Sequence, residues 1–174
     1  MKHLLLLTVL ALSLSTKAAT IATFLGLMRL SRQFENGKAL SDAALVSYGF
    51  GAVAVMFAAI ASGFIATDLK AIVLEAGGNA QAAYELAFDF GWALNQASTK
   101  VFVLTASIGI ALWSVAMLRD PTFGRGIGIT GLLVGSAATI ATLSGLQMDI
   151  HGFGAIVLGH GIWLIWTGIR LLRG

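Results

Sequence analysis

The sequence predicts an all-α fold, a polytopic transmembrane helical bundle of about five spans, and three observations predict it. Of 174 residues, 57% are hydrophobic and only 11% charged, against roughly 45–50% and about 25% in an ordinary soluble domain. The chain carries 21 glycines and one proline, Pro121, and glycine is favoured where membrane helices approach closely. Five apolar stretches have the roughly 20 residues needed to cross a hydrocarbon core of about 30 Å.

These stretches run from about 4 to 30, 43 to 66, 97 to 118, 126 to 148 and 152 to 172. The first is the least simple, since Met1-Lys2-His3 and the apolar run to Leu14 have the form of a signal peptide, with a tolerable cleavage site at Thr16-Lys17-Ala18. Cleavage would leave Ala19 to Leu30, too short to span. An uncleaved first span is therefore expected.

Between the second and third stretches, Thr67 to Gln96 is too polar for an ordinary span. Gly77-Gly78-Asn79 breaks the chain and supplies Asn79 as a helix N-cap. Beyond it Ala82, Leu86, Phe90, Ala93 and Ala97 recur at helical spacing, with Gln81, Glu85, Asp89, Gln96 and Lys100 along another face. The pattern predicts an extracytoplasmic helical segment over 79–96 that runs directly into the third span. Tyr84, Phe88 and Trp92 form a ridge at i, i+4 spacing, suited to the water–lipid interface or to a partner. No linker or repeat divides the chain, so residues 1–174 read as a single integral membrane domain.

The basic residues give the orientation. Arg29, Arg32, Lys38, Arg119, Arg125, Arg170 and Arg173 fall in the loops and terminus of one side, whereas the other side holds Lys2, Lys70 and Lys100 with Asp68, Glu75, Glu85, Asp89 and Asp149. The positive-inside rule then sets the N-terminus outside and the C-terminus in the cytoplasm of a bacterial inner membrane. Lys2 runs against this, and an additional upstream helix would resolve it. Although the net charge is +3 and the pI near 9.6, dispersed basic residues do not form a nucleic-acid surface, so lipid is the expected partner.

The polar residues within spans bear most directly on function. Lys17 sits near the middle of the first stretch, where a cation costs at least about 2.5–3.5 kcal/mol. It either snorkels to the interface or belongs to a functional polar site, neutral, hydrated or paired with an acid of another subunit. Counted inward from the outer face, His160 lies at similar depth, as Ser107 or Ser136 would. His160 stands between Gly159 and Gly161, which leave room for a ligand or another helix; the ordinary reading is a core histidine hydrogen-bonded to Ser or Thr. With Trp163 and Trp113, these residues would border an intramembrane cavity.

Packing signals are plainer. Gly131-Leu132-Leu133-Val134-Gly135 is a GxxxG motif, and Ala59 and Gly63 repeat the small-xxx-small spacing. Both allow close backbone contact, within the bundle or across a homodimer.

Cofactor and enzyme classes find little footing. Cysteine is absent, which removes disulfides, thiolate metal sites and a cysteine nucleophile. His151 lies nine residues from His160, half a turn out of phase and about 13.5 Å along the axis, so the two cannot share a haem iron. Asp149 and His151 in the turn Gln147 to Gly152 are too few ligands for a metal site, and Glu85 with Asp89 reads first as the wet face of an amphipathic helix. No GxSxG, HExxH or GK[ST] phosphate loop occurs. An NTP-driven pump is excluded, five helices are fewer than a retinal pigment normally uses, and no cofactor is expected.

One resemblance bears on the end of the chain. The arginine turn Leu118-Arg119-Asp120-Pro121, the glycines Gly126, Gly128 and Gly131, and the closing Gly161 to Leu172 with Trp163, Trp166 and Gly168-Ile169-Arg170-Leu171 resemble the last two spans of an uncharacterised group of bacterial multi-pass membrane proteins with a domain of unknown function. It covers roughly the last 55 residues, apolar patterns of this kind being weakly specific. It implies six spans, with an N-terminal helix this chain lacks, and transfers no catalytic residue. The expected function is that of a non-enzymatic accessory or scaffold subunit of a membrane assembly, or a homo-oligomer. The alternative is a binder or transporter of a small apolar or amphipathic ligand, such as a lipid, quinone or pigment.

Overall fold

The computed structural model describes residues 22–35, 37–61, 68, 81–120 and 122–173. Five helices carry them: α1 over 22–31, α2 Lys38–Ile60, α3 Gln81–Arg119, α4 Arg125–Leu143 and α5 Ile150–Arg173. No strand occurs among the described residues. The last four helices are each long and apolar enough to cross a membrane. Lys17, Gly63 and the N-cap assigned to Asn79 lie outside the described residues.

The bundle is apolar outside as well as inside. Val46, Phe50, Val53 and Phe57 on α2, Leu133 and Ile140 on α4, and Leu158, Ile162 and Ile165 on α5 are all exposed. In water such a surface would be costly, and a lipid solvent removes the penalty. Helices that satisfy their own backbone hydrogen bonds are the form an open chain takes there.

Helix α3 is the axis of the fold, packing along α2 on one side and α4 on the other, while α4 meets α5. At 39 residues it is about 58 Å long, nearly twice the hydrocarbon thickness of roughly 30 Å. A helix of that length is too long to lie wholly in hydrocarbon when it runs across the bilayer.

Small residues set the α2–α3 contact. Ala44, Gly51 and Ala58, spaced by seven, are the buried stripe of α2 together with Ser41. A Cβ at Gly51 would collide with Thr105 Oγ1 and come within 3.2 Å of the Phe102 carbonyl oxygen; one at Gly109 would lie 3.0 Å from the Ala44 carbonyl oxygen. Two polar ties join the same faces, Ser47 Oγ donating to the Thr105 carbonyl at 2.8 Å and Asn95 Nδ2 to the Ala58 carbonyl at 3.0 Å. Ala59, by contrast, is exposed, so the buried stripe of α2 passes through its neighbour Ala58.

Two helix ends show why the chain turns where it does. Helix α4 stops at Leu143, five residues before the end of the apolar stretch, because Gly145 adopts φ 88°. The amide of Leu146 donates to the Ala141 carbonyl at 3.0 Å and that of Gly145 to the Thr142 carbonyl at 3.2 Å, a Schellman cap. Helix α5 then starts behind Asp149, whose Oδ1 accepts from the amides of His151 at 3.1 Å and Gly152 at 2.7 Å. At the opposite end of the bundle, Phe34 stacks on Phe123 with centroids 4.8 Å apart, joining the loops after α1 and α3.

The glycine contact is directly testable. Gly51→Leu should lower stability in detergent by about 1–3 kcal/mol, as overpacking does. Gly161→Ala, where an added Cβ meets nothing within 4 Å, should be neutral or stabilising by up to about 1 kcal/mol. Thermal unfolding followed by circular dichroism compares the two, and equal melting temperatures would refute the packing assignment.

Candidate functional site: a polar and indole cluster inside the bundle

Apolar residues supply most of the interior, so each buried polar group stands out by the partner it has found. Helix α3 places Ser107, Trp113 and Ser114 on its buried face, and α5 places His160, Trp163 and Thr167 on the face that meets it. Spacings of three and four along α5, and of seven between Ser107 and Ser114 on α3, keep these side chains on one side of each helix. The hydrocarbon core offers them no hydrogen bond, so each one left unpaired within the protein is costly.

Ser107 Oγ and His160 Nε2 are hydrogen-bonded at 3.1 Å, both residues buried. The depth count offered Ser107 or Ser136 at the level of His160, and it is Ser107 that α3 brings into contact with the imidazole. Trp113 Nε1 donates to Ser31 Oγ at 2.9 Å, tying α3 to the end of α1. Ser31 and Ser41 then exchange hydroxyl-to-carbonyl bonds at 3.4 and 3.3 Å, which join α1 to α2.

The two indoles are central. Trp113 and Trp163 are fully buried and stack with centroids 6.4 Å apart, and Tyr48 leans on Trp113 at 5.9 Å. Trp163 Nε1 reaches the backbone of α4, donating to the Ile127 carbonyl at 3.2 Å. Gly131 makes that possible. A Cβ there would collide with Trp163 Nε1 and Ser114 Oγ, so the missing side chain is the slot through which the indole reaches the carbonyl one turn earlier.

Gly135, one turn on, marks a second close approach of α4 to α3. A Cβ at this position would lie 2.6 Å from the Ser107 carbonyl oxygen and 3.0 Å from the Ala111 amide nitrogen. Gly131 and Gly135 are both buried, so this GxxxG motif packs α4 on α3 and receives Trp163 within one chain. Of the glycines beside His160, Gly159 faces Val134 of α4, while Gly161 has nothing within 4 Å. The room read from the sequence is thus filled by a helix on one side and open on the other.

The other sequence-selected residues lie elsewhere. Tyr84, Phe88 and Trp92 sit on the first turns of α3, with Tyr84 and Phe88 rings 6.1 Å apart and Trp92 exposed. Glu85 Oε1 accepts from Gln81 Nε2 at 3.0 Å along the same helix. Asp149 is engaged in capping α5, and His151 is exposed.

Three features escaped sequence reading. The stripe of Ala44, Gly51 and Ala58 carried a signal, its heptad spacing. Ser31 and Ser41 carried none, because their partnership depends on how the α1–α2 turn folds. The third is the meeting of Arg29, Arg170 and Arg173 around one cleft, where only their common side of the membrane was legible. Comparison of the chain with protein-family models, curated proteins and solved structures finds no significant match.

The hydrogen bond between α3 and α5 invites a double-mutant cycle. Ser107→Ala and His160→Phe should show a coupling of about 0.6 and at most roughly 1.7 kcal/mol, the range for interhelical bonds in membranes. Unfolding in mixed micelles measures it, and strictly additive effects would mean that the two side chains do not interact.

Proposed function

We propose that this chain is a non-enzymatic protein of the bacterial cytoplasmic membrane that works through contacts, as an accessory or scaffold subunit of a membrane assembly or as a homo-oligomer. The observation that carries this reading is the start of α3. Leu86, Phe88, Phe90 and Trp92 are exposed there, Leu86 by 74% and Phe90 by 70%, on a helix too long to lie wholly in hydrocarbon. Apolar and aromatic side chains gathered on a projecting helix favour association, since burying each is worth about 1.5–3 kcal/mol. Glu85 and Asp89, both exposed, add a negative edge that would orient a partner.

The alternative, a small apolar or amphipathic ligand held beside Lys17, His160, Trp163 and Trp113, draws less support. Trp113 and Trp163 fill the space between α3 and α5 with their own rings, and His160 already has Ser107. No step of the proposed role requires a cofactor.

The orientation belongs to the same proposal. Arg29, Arg170 and Arg173 line one cleft with residues of the α3–α4 turn, which supports a shared basic side. Under the positive-inside rule that side is cytoplasmic and the C-terminus lies there. Reporter tags after Arg32 and after Gly174 should both read as cytoplasmic, and tags on opposite sides would rule the scheme out.

Association is tested by purification in mild detergent followed by mass measurement. The wild-type chain should run with a partner or a second copy, and the combined substitution Tyr84→Ala, Phe88→Ala, Trp92→Ala should release a folded monomer. A wild-type chain that is monomeric in both mild detergent and nanodiscs would defeat the contact reading.

A further inference from the structure

At the basic end of the bundle a polar cleft of about 590 Å³ opens between the end of α1, the α3–α4 turn and the end of α5. Arg29, Arg170 and Arg173 line it with Gln33, and Glu35 and Asp120 also border it, leaving a formal excess of one positive charge. Part of that acidity is already engaged, since Asp120 Oδ1 accepts from the Thr122 amide at 2.9 Å and from the Thr122 hydroxyl at 2.6 Å. Arg170 is held in place as Nη2 donates to the Thr122 carbonyl at 3.0 Å. Arg29 and Arg173 have exposed side chains, with guanidinium forks suited to a phosphate.

Directly beneath lies a second feature of opposite character. A groove of about 350 Å³ runs between α1 and α5, lined mainly by apolar residues including Leu27, Leu30 and Leu164. Leu171 borders both the groove and the cleft, so the two are continuous. The groove extends over residues 22–30 of α1 and 164–171 of α5, a depth of about 12 Å, close to one leaflet of a core roughly 30 Å thick. Gly26 and Gly168 line it, and a Cβ on either would meet nothing within 4 Å. Thr167 also faces it; the residue is 3% exposed and its Oγ1 has no hydrogen-bond partner among the described residues. An unsatisfied hydroxyl in such a place is unfavourable unless something supplies the missing bond.

We propose that an anionic phospholipid of the leaflet on the basic side occupies this pair of features. Its phosphate sits among Arg29, Arg170 and Arg173, one acyl chain lies along the groove past Gly26 and Gly168, and an ester oxygen near the chain's root accepts from Thr167. A cationic cleft at headgroup level over an apolar groove one leaflet deep matches the two halves of such a molecule. The site is separate from the Trp113–Trp163 cluster and does not depend on what the first turns of α3 contact.

Native mass spectrometry of the full chain, in micelles doped with phosphatidylglycerol or with phosphatidylcholine of the same acyl chains, tests the proposal. Phosphatidylglycerol should be retained at least tenfold more strongly, and millimolar inorganic phosphate should not displace it. Arg29→Gln with Arg173→Gln should erase the preference. Gly168→Leu should cut retention by filling the groove, while Gly161→Leu, on the same helix but outside the groove, should leave retention unchanged. Equal retention of the two lipids, or a preference that survives both the double arginine variant and Gly168→Leu, would overturn the assignment. Displacement by phosphate alone would overturn it too, marking a free-anion site.

Discussion

The approach of α3 to α2 and α4 across glycine governs the rest of the structure. Between membrane helices apolar side chains gain little by leaving lipid for protein, so association depends on fit and on bonds that lipid cannot provide. Here the fit comes from missing side chains. Gly51 and Gly109 bring α2 against the backbone of α3, and Gly135 brings α4 against it from the other side. With three helices set this closely, the bulky residues have only two places to go. They fill the space toward α1 and α5, as Trp113 and Trp163 do, or they face lipid.

The same closeness makes the interior polar groups useful. Each hydrogen bond among Ser31, Ser41, Ser107, Trp113, His160 and Trp163 joins two different helices or reaches a neighbouring backbone. Such bonds are individually modest in a membrane, yet an unmade one is costly, so they select one register among many that would pack apolar surface equally well. Gly131 illustrates the coupling. Its lack of a side chain is simultaneously the packing feature of α4 and the opening for the Trp163 indole.

The two ends of the bundle are built for different surroundings. At one, the Phe34–Phe123 stack and the Thr122 contact of Arg170 close the loops into a compact basic rim. At the other, α3 continues past its neighbours among the described residues, with aromatic and acidic side chains exposed. Under the proposed contact role the two ends would carry recognition, while the apolar exposed middle of the bundle suits lipid. This division is what the proposed contact role rests on, and it needs no catalytic group.

Much of this was legible from composition and period alone. Apolar runs of about twenty residues specify spans because the bilayer has a fixed thickness, and the fusion of the 79–96 pattern with the third span was readable because helical spacing continued without a break; α3 runs uninterrupted from Gln81. Counting residues put either Ser107 or Ser136 at the depth of His160, since rise per residue is constant. Depth, however, is one coordinate. The rotation of each helix about its axis and the neighbour it faces depend on which small residues find a backbone to pack against. For that reason only the tertiary structure decided that Gly131 receives Trp163, that Ala58 and not Ala59 belongs to the buried stripe of α2, that Ser31 pairs with Ser41, and that Arg29, Arg170 and Arg173 gather around one cleft.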